Sequence, residues 1–220
     1  MPKSINKVIK FLIAGDFFLL SGWGLLGPIF AIFIIQNITI GNAAEGAKVA
    51  GFAALSYWMI KSFLQIPISR YLDRVHGEKD DFWFMILGLF IAGLSPFGFL
   101  VSFLPWHIYA FQILNATGMA LFVPSWNAIF TRHIDKGKEA FEWGMDSTFL
   151  GLGMGITGAI GGIMVATIGF EVIFILVGTL TLFSCFLLLL IYKDILPTDH
   201  TMDHFFSRFR FLPFKKSKEL

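Results

Sequence analysis

SRYLDRVHGEKDDFW, residues 69–83, packs seven charged side chains and a histidine between two long apolar runs. Elsewhere charge is scarce. Charged residues make up 15% of the 220 positions and hydrophobic ones 56%, against about 25% and roughly 45–50% in ordinary soluble domains. The stretch therefore reads as a polar loop joining segments that lipid, not water, surrounds.

Working outward from this loop, we find six runs that meet the length of about 20 apolar residues needed for a helix to cross a hydrocarbon core about 30 Å thick. They lie near residues 9–35, 48–70, 82–104, 107–131, 147–168 and 170–192. The runs are long and contain Gly and Pro but few charges, which suits helices; a membrane barrel would show short segments of alternating polarity. The expected fold is an all-α membrane domain over residues 1–192. A cytoplasmic tail over 193–220 is expected to follow, its HFFSRFRFLPFKKSKEL interleaving aromatic and basic residues suited to an anionic lipid surface.

Lys3, Lys7 and Lys10 give the first run a basic lead, but no small-residue cleavage site follows a short apolar core, so this run is expected to stay in the membrane. Cys185, the single cysteine, excludes an intrachain disulfide. Of 17 Lys and Arg, all but Lys48 and Lys61 fall at the termini or after the second and fourth runs. By the positive-inside rule that side is cytoplasmic, with both termini on it, and the plasma (inner) membrane is the expected location. The net charge of +2 thus reflects topology and gives no reason to expect a nucleic-acid partner.

GPIFAIF at 27–33 and VPSWNAIF at 123–130 place Pro28 and Pro124 96 residues apart. A three-helix unit repeated once fits this offset. Because three is odd, the second copy enters the membrane inverted, giving two inverted three-helix repeats. In the fifth run, Gly151/Gly155 and Gly158/Gly162 have the small-xxx-small spacing that lets helix backbones approach.

Within the loop, LDRVHGEKDD resembles the signature of the major facilitator superfamily, with Asp73 and Arg74 matching directly, Gly77 one position late and Ser69 in place of a usual Gly. GWGLLGPIFAIF, ATGMALFVPSWNAIF, GAIGG and IGFEVIF resemble the same family in order along the chain. The resemblance implies six helices forming one half of a twelve-helix transporter. A half-sized member would supply the other half by homodimerising. It also implies that the first and fourth helices line the central cavity, and that Asp73 sits by the start of a helix in the opposite half. Here that helix is the partner's fifth, expected to begin near Trp143 to Ser147, so Asp73, Arg74 and Asp146 form a candidate cytoplasmic gate. Position 114 is Leu where many proton-coupled members have Arg, and Thr157-Gly158 stands where many antiporters have Gly-Pro.

Asp16 and Lys61 are ionisable positions inside the runs, and charge in a bilayer costs about 2.5 kcal/mol or more, which marks them as functional candidates. Asp16 could carry a proton in exchange for substrate or reach polar headgroups. Lys61 could meet Asp16, an anionic substrate or cavity water. Trp23, Asn115 and Trp126 are the remaining cavity candidates, although polar side chains also simply join helices. No G-x-S-x-G, H-E-x-x-H or phosphate-cradling loop is present, so the expected protein is no enzyme and needs no cofactor. The expected function is secondary or facilitative transport of a small solute by alternating access in a homodimer. Two alternatives remain: a non-transporting receptor, assembly or lipid-handling unit, and one subunit of a heterodimeric transporter.

Overall fold

A computed structural model of the chain describes residues 5–74 and 77–196. Among these residues the regular structure is helical throughout. Helix α1 (Lys7–Leu26) is capped by Asn6, whose Oδ1 accepts from the Val8 amide at 3.0 Å. It stops short of Pro28, which has no N–H and crowds the carbonyl four residues back. The first run resumes as α2 (Phe30–Phe33) and a π-helical turn, Ile34–Ile38. It is therefore a broken span, not one continuous helix over 9–35.

Ile40 and Gly41, both at positive φ, turn the chain into α3 (Ala43–Arg74). Helices α4 (Lys79–Leu100), α5 (Pro105–His133), α6 (Glu139–Ile168) and α7 (Phe170–Leu189) follow, then the short α8 (Tyr192–Ile195). Pro105 opens α5, where its missing N–H costs nothing. Helices α1, α3, α4, α5, α6 and α7 are each long and apolar enough to cross a membrane.

Two boundaries depart from expectation in ways that matter. The polar stretch 69–83 is mostly helix, with Arg70 to Arg74 ending α3 and Lys79 to Asp81 opening α4. Helix α6 starts at Glu139, about one to two turns before the expected Trp143 to Ser147. Glu139 and Glu142 in its first turn suit the positive end of a helix, a signal that an apolar count does not register. The expected tail lies almost wholly outside the described residues.

The packing obeys the expected repeat. Helix α1 packs on α6 and α7, as α5 packs on α3 and α4, and α4 packs on α7. Exchanging the first three spans for the last three leaves this set of partners unchanged. Ala43 and Glu139, which open the equivalent spans α3 and α6, lie 96 residues apart, as the two prolines do.

Polar contacts gather helix ends on one face. Lys7 pairs with Asp194 at 2.8 Å, His133 meets Glu78 at 3.1 Å, and Asn6 Nδ2 donates to the His133 carbonyl. The starts of α1, α4 and α6 and the ends of α3, α5 and α7 share this face. It carries the charged stretch.

Burial divides the six spans. Of the most apolar stretch of α3, and likewise of α6, 11% is buried within the chain, against 44–61% for the other four. Helices α3 and α6 thus flank a four-helix centre, each held by one face.

Candidate functional site

The seam between α1 and α6 is built by small residues. A side chain at Gly153 would meet Ser21 and Phe17; one at Gly24 would meet Met154 and Thr157; one at Gly161 would strike the Leu25 carbonyl. The expected pairs in GLGMGITGAIGG do not do this work. Gly151, Gly155 and Gly162 face open space, and Gly158 makes an ordinary contact with the Gly24 carbonyl. Spacing identified the small-residue motif, but not which side of the helix meets α1.

Where the seam nears the charged face it holds acids. Asp16 of α1 is 8% exposed and Asp146 of α6 is 5% exposed. Neither has a hydrogen-bond or ion-pair partner among the described residues. One turn earlier, Glu142 is fully buried; one oxygen accepts from the Asp135 amide at 3.2 Å and the other has no donor. Ser21, turned toward Gly153 of α6, is buried with its hydroxyl unpartnered. Beside the acids Phe17 meets Phe149 edge to face at 6.4 Å.

Trp126 of α5 is buried, stacked on Phe130 at 4.6 Å and 6.1 Å from Trp143, so its ring is occupied by its own chain. Its indole N–H and that of Trp23 lack acceptors, and the Asn115 carbonyl oxygen lacks a donor. Asn115 and Trp126 lie eleven residues, about three turns, apart on one face of α5. Unpaired buried polar groups are costly and are what a polar solute or water would satisfy.

Lys61 does not meet Asp16. Its ammonium sits 5.0 Å from the Trp58 ring centre and 5.7 Å from that of Tyr57, on its own helix one turn back. Cation–π contacts with half-exposed rings hold the charge in place of a carboxylate. Asp73 and Arg74 are exposed at the end of α3 and form no ion pair among the described residues. Asp146 is set back from the outer surface of α6, against α1.

Three polar features escaped the sequence reading. Arg132 at the end of α5 is paired with Asp81 of α4, and His133 with Glu78. Glu142 is the third. Asp81 and Glu78 read as loop charges and Arg132 as a topology marker, and nothing in a separation of 51 residues announces the first pair.

No curated protein matches the chain. The profile of the Major Facilitator Superfamily matches residues 12–215, nearly the whole length. Six apolar spans, packed as two exchanged triplets with buried unpartnered polar groups, are what such a transporter fold requires. The chain belongs to the Major Facilitator Superfamily and is a multi-pass integral membrane protein, a transporter of some solute and not an enzyme.

Proposed function

We propose that the protein is a secondary transporter that works by alternating access, with a second six-helix copy completing the pathway and a cation coupled through Asp16. The observation that carries this reading is the bareness of α3 and α6, each 11% buried over its most apolar stretch. Their outer faces also complement each other. Phe52, Leu55, Met59, Phe63 and Ile66 form a bulky exposed stripe on α3, while Gly144, Thr148, Gly151, Gly155 and Gly162 form a small-residue stripe on α6. Large side chains entering a groove of small ones is how helices associate in lipid. A twofold pair brings each stripe onto its counterpart twice and closes the assembly.

In this reading Asp16, Trp23, Lys61, Asn115 and Trp126 line the solute path, and membrane lipid covers the outer surface. The face bearing the charged helix ends is cytoplasmic by the positive-inside rule, with both termini there in a plasma (inner) membrane. Asp73 and Arg74 gate the pathway by docking at the partner's α6 terminus. That terminus is at Glu139, where Arg74 gains an acidic partner and Asp73 meets free amides. Asp146 backs this terminus from the α1 side.

The test is disulfide trapping. With Cys185 replaced, single cysteines at Ser69 of α3 and Ser147 of α6 are combined and oxidised in native membranes. Covalent dimers from the double variant, absent from either single one, support the pairing; an exclusively monomeric double variant refutes it and turns the search to an unlike partner. Solute uptake into proteoliposomes then tests transport itself.

A further inference from the structure

We infer that an anionic phospholipid binds in the groove between α1 and α6 near the charged face, its headgroup on Lys10 and one acyl chain along the rings below. This site stands apart from the transport reading, because it needs only a membrane around the helices.

The open groove has a volume of about 330 Å³ and is lined by Ala14 and Phe17 of α1 and Met145 and Phe149 of α6, with Lys10 at its mouth. Ring contacts fix its walls. Phe149 meets Phe17 edge to face at 6.4 Å, and Phe18, at the inner end, meets Phe183 of α7 in the same way at 4.9 Å. The floor is therefore the strip of α1 between α6 and α7. Two relationships place this strip on the lipid side and away from the proposed solute path. Asp16 stands about half a turn round α1 from Ala14 and Phe18. Trp143, which packs on Trp126 and Phe130 of α5, stands about a third of a turn or more round α6 from Met145 and Phe149. The groove opens on the far side of both.

Chemistry selects the occupant. Below Lys10 the lining offers rings, methyl groups and a thioether, so the buried part of a ligand must be apolar. Lys10 is exposed and forms no ion pair among the described residues, whereas Lys7, one turn earlier, is held by Asp194 at 2.8 Å. An amphiphile with a negative head and a hydrocarbon chain satisfies both ends. From Lys10 to Phe18 the groove descends about 12 Å along α1, close to half of a hydrocarbon core about 30 Å thick. A phospholipid in the leaflet at the charged face reaches that depth without leaving its place in the bilayer; free phosphate would meet Lys10 alone and leave the rings bare. The small-residue stripe of α6 is centred about a quarter-turn from Met145, so a second copy seated there leaves the α1 side of the groove to lipid.

Native mass spectrometry of the delipidated full chain, titrated with phosphatidylglycerol or phosphatidylcholine, reads the site. Phosphatidylglycerol should bind the native chain about fivefold more tightly, the preference that one lysine near an anionic surface confers. Lys10→Gln should abolish that preference and leave phosphatidylcholine binding unchanged, while Ala14→Trp, which fills the groove, should weaken both lipids. A preference that survives Lys10→Gln, or binding of both lipids unaltered by Ala14→Trp, overturns the inference. Inorganic phosphate that competes with phosphatidylglycerol at equal concentration assigns Lys10 to a free anion and overturns it as well. Should Ala14→Trp misfold, photocrosslinking in native membranes decides, with benzoylphenylalanine substituted at Phe18. An adduct of phospholipid mass supports the site. Crosslinks only to a second copy or to residues 197–220, or no lipid adduct at all, refute it.

Discussion

Arg132, in the last turn of α5, closes an ion pair on Asp81, a carboxylate 1% exposed in the first turn of α4. The pair pins two adjacent spans at the charged face, where the helix hairpin would otherwise splay. Removing Arg132 leaves a buried charge with no counterion, whereas removing both partners leaves none. Arg132→Ala is expected to cost about 2–3 kcal/mol, less than a fully buried pair because the arginine is 39% exposed. Asp81→Leu combined with Arg132→Leu should recover most of that loss. Thermal stability of the detergent-purified variants, followed by size exclusion, checks the order; equal melting of single and double variants would show that the pair carries no stability.

Adjacent glycines separate the chain's own packing from the proposed dimer face. A methyl group at Gly161 would collide with the Leu25 carbonyl, while one at Gly162 meets nothing. Gly161→Ala is expected to force α6 off α1 at a cost of about 1–3 kcal/mol. Gly162→Leu should leave the melting temperature of the isolated subunit near native and weaken disulfide trapping of the pair. Similar losses of stability from both would mean that α6 is rotated from the position described.

Much of the fold was legible because lipid imposes it. Twenty-residue apolar runs, lysine and arginine on one side and two prolines 96 residues apart suffice for six spans and an exchanged pair of triplets. The rotation of each helix was not legible. In α6 the glycines at 151, 153, 155, 158, 161 and 162 offer several seams, and only packing selects 153 and 161. The site shows the same limit. Asp16 stood out because a charge in a run is conspicuous, but its neighbour Asp146 belonged in the sequence to a presumed helix start. The true start, at Glu139, was hidden in a polar segment. Lys61 was found by its charge, and its aromatic partners one turn back needed side-chain positions.

Asp135 lies in the loop between α5 and α6, outside the spans. The hydrogen bond from Lys138, and then its charge, hold the Asp135 carboxyl below the usual aspartate range. Because the folded value is the lower one, this contribution to stability is present above the unfolded value, about 3.9, and is lost as pH falls through the folded value. Acidification below about pH 4 should therefore loosen the 134–138 loop. Asp135→Asn should remove that component of acid sensitivity. Limited proteolysis across the loop as a function of pH is the measurement, and an unchanged acid profile in the variant would exclude this carboxyl as the cause.

Asp73 is exposed at the end of α3, without an ion-pair partner among the described residues, yet the positive-inside rule gives an acid there no purpose. A carboxylate at the N-terminus of the partner's α6 gains about 0.3–1 kcal/mol from its free amides and the helix dipole, more where partly buried. Asparagine keeps the shape and hydrogen-bonding reach while removing the charge. Asp73→Asn should consequently shift the population toward the inward-facing state by about two- to fivefold, the Boltzmann equivalent of that energy. Alkylation of single cysteines introduced on either side of the seam reports the shift as increased cytoplasmic and decreased opposite-side labelling. Unchanged labelling on both sides would return Asp73 to a solvated helix end and leave Arg74 alone to hold the gate.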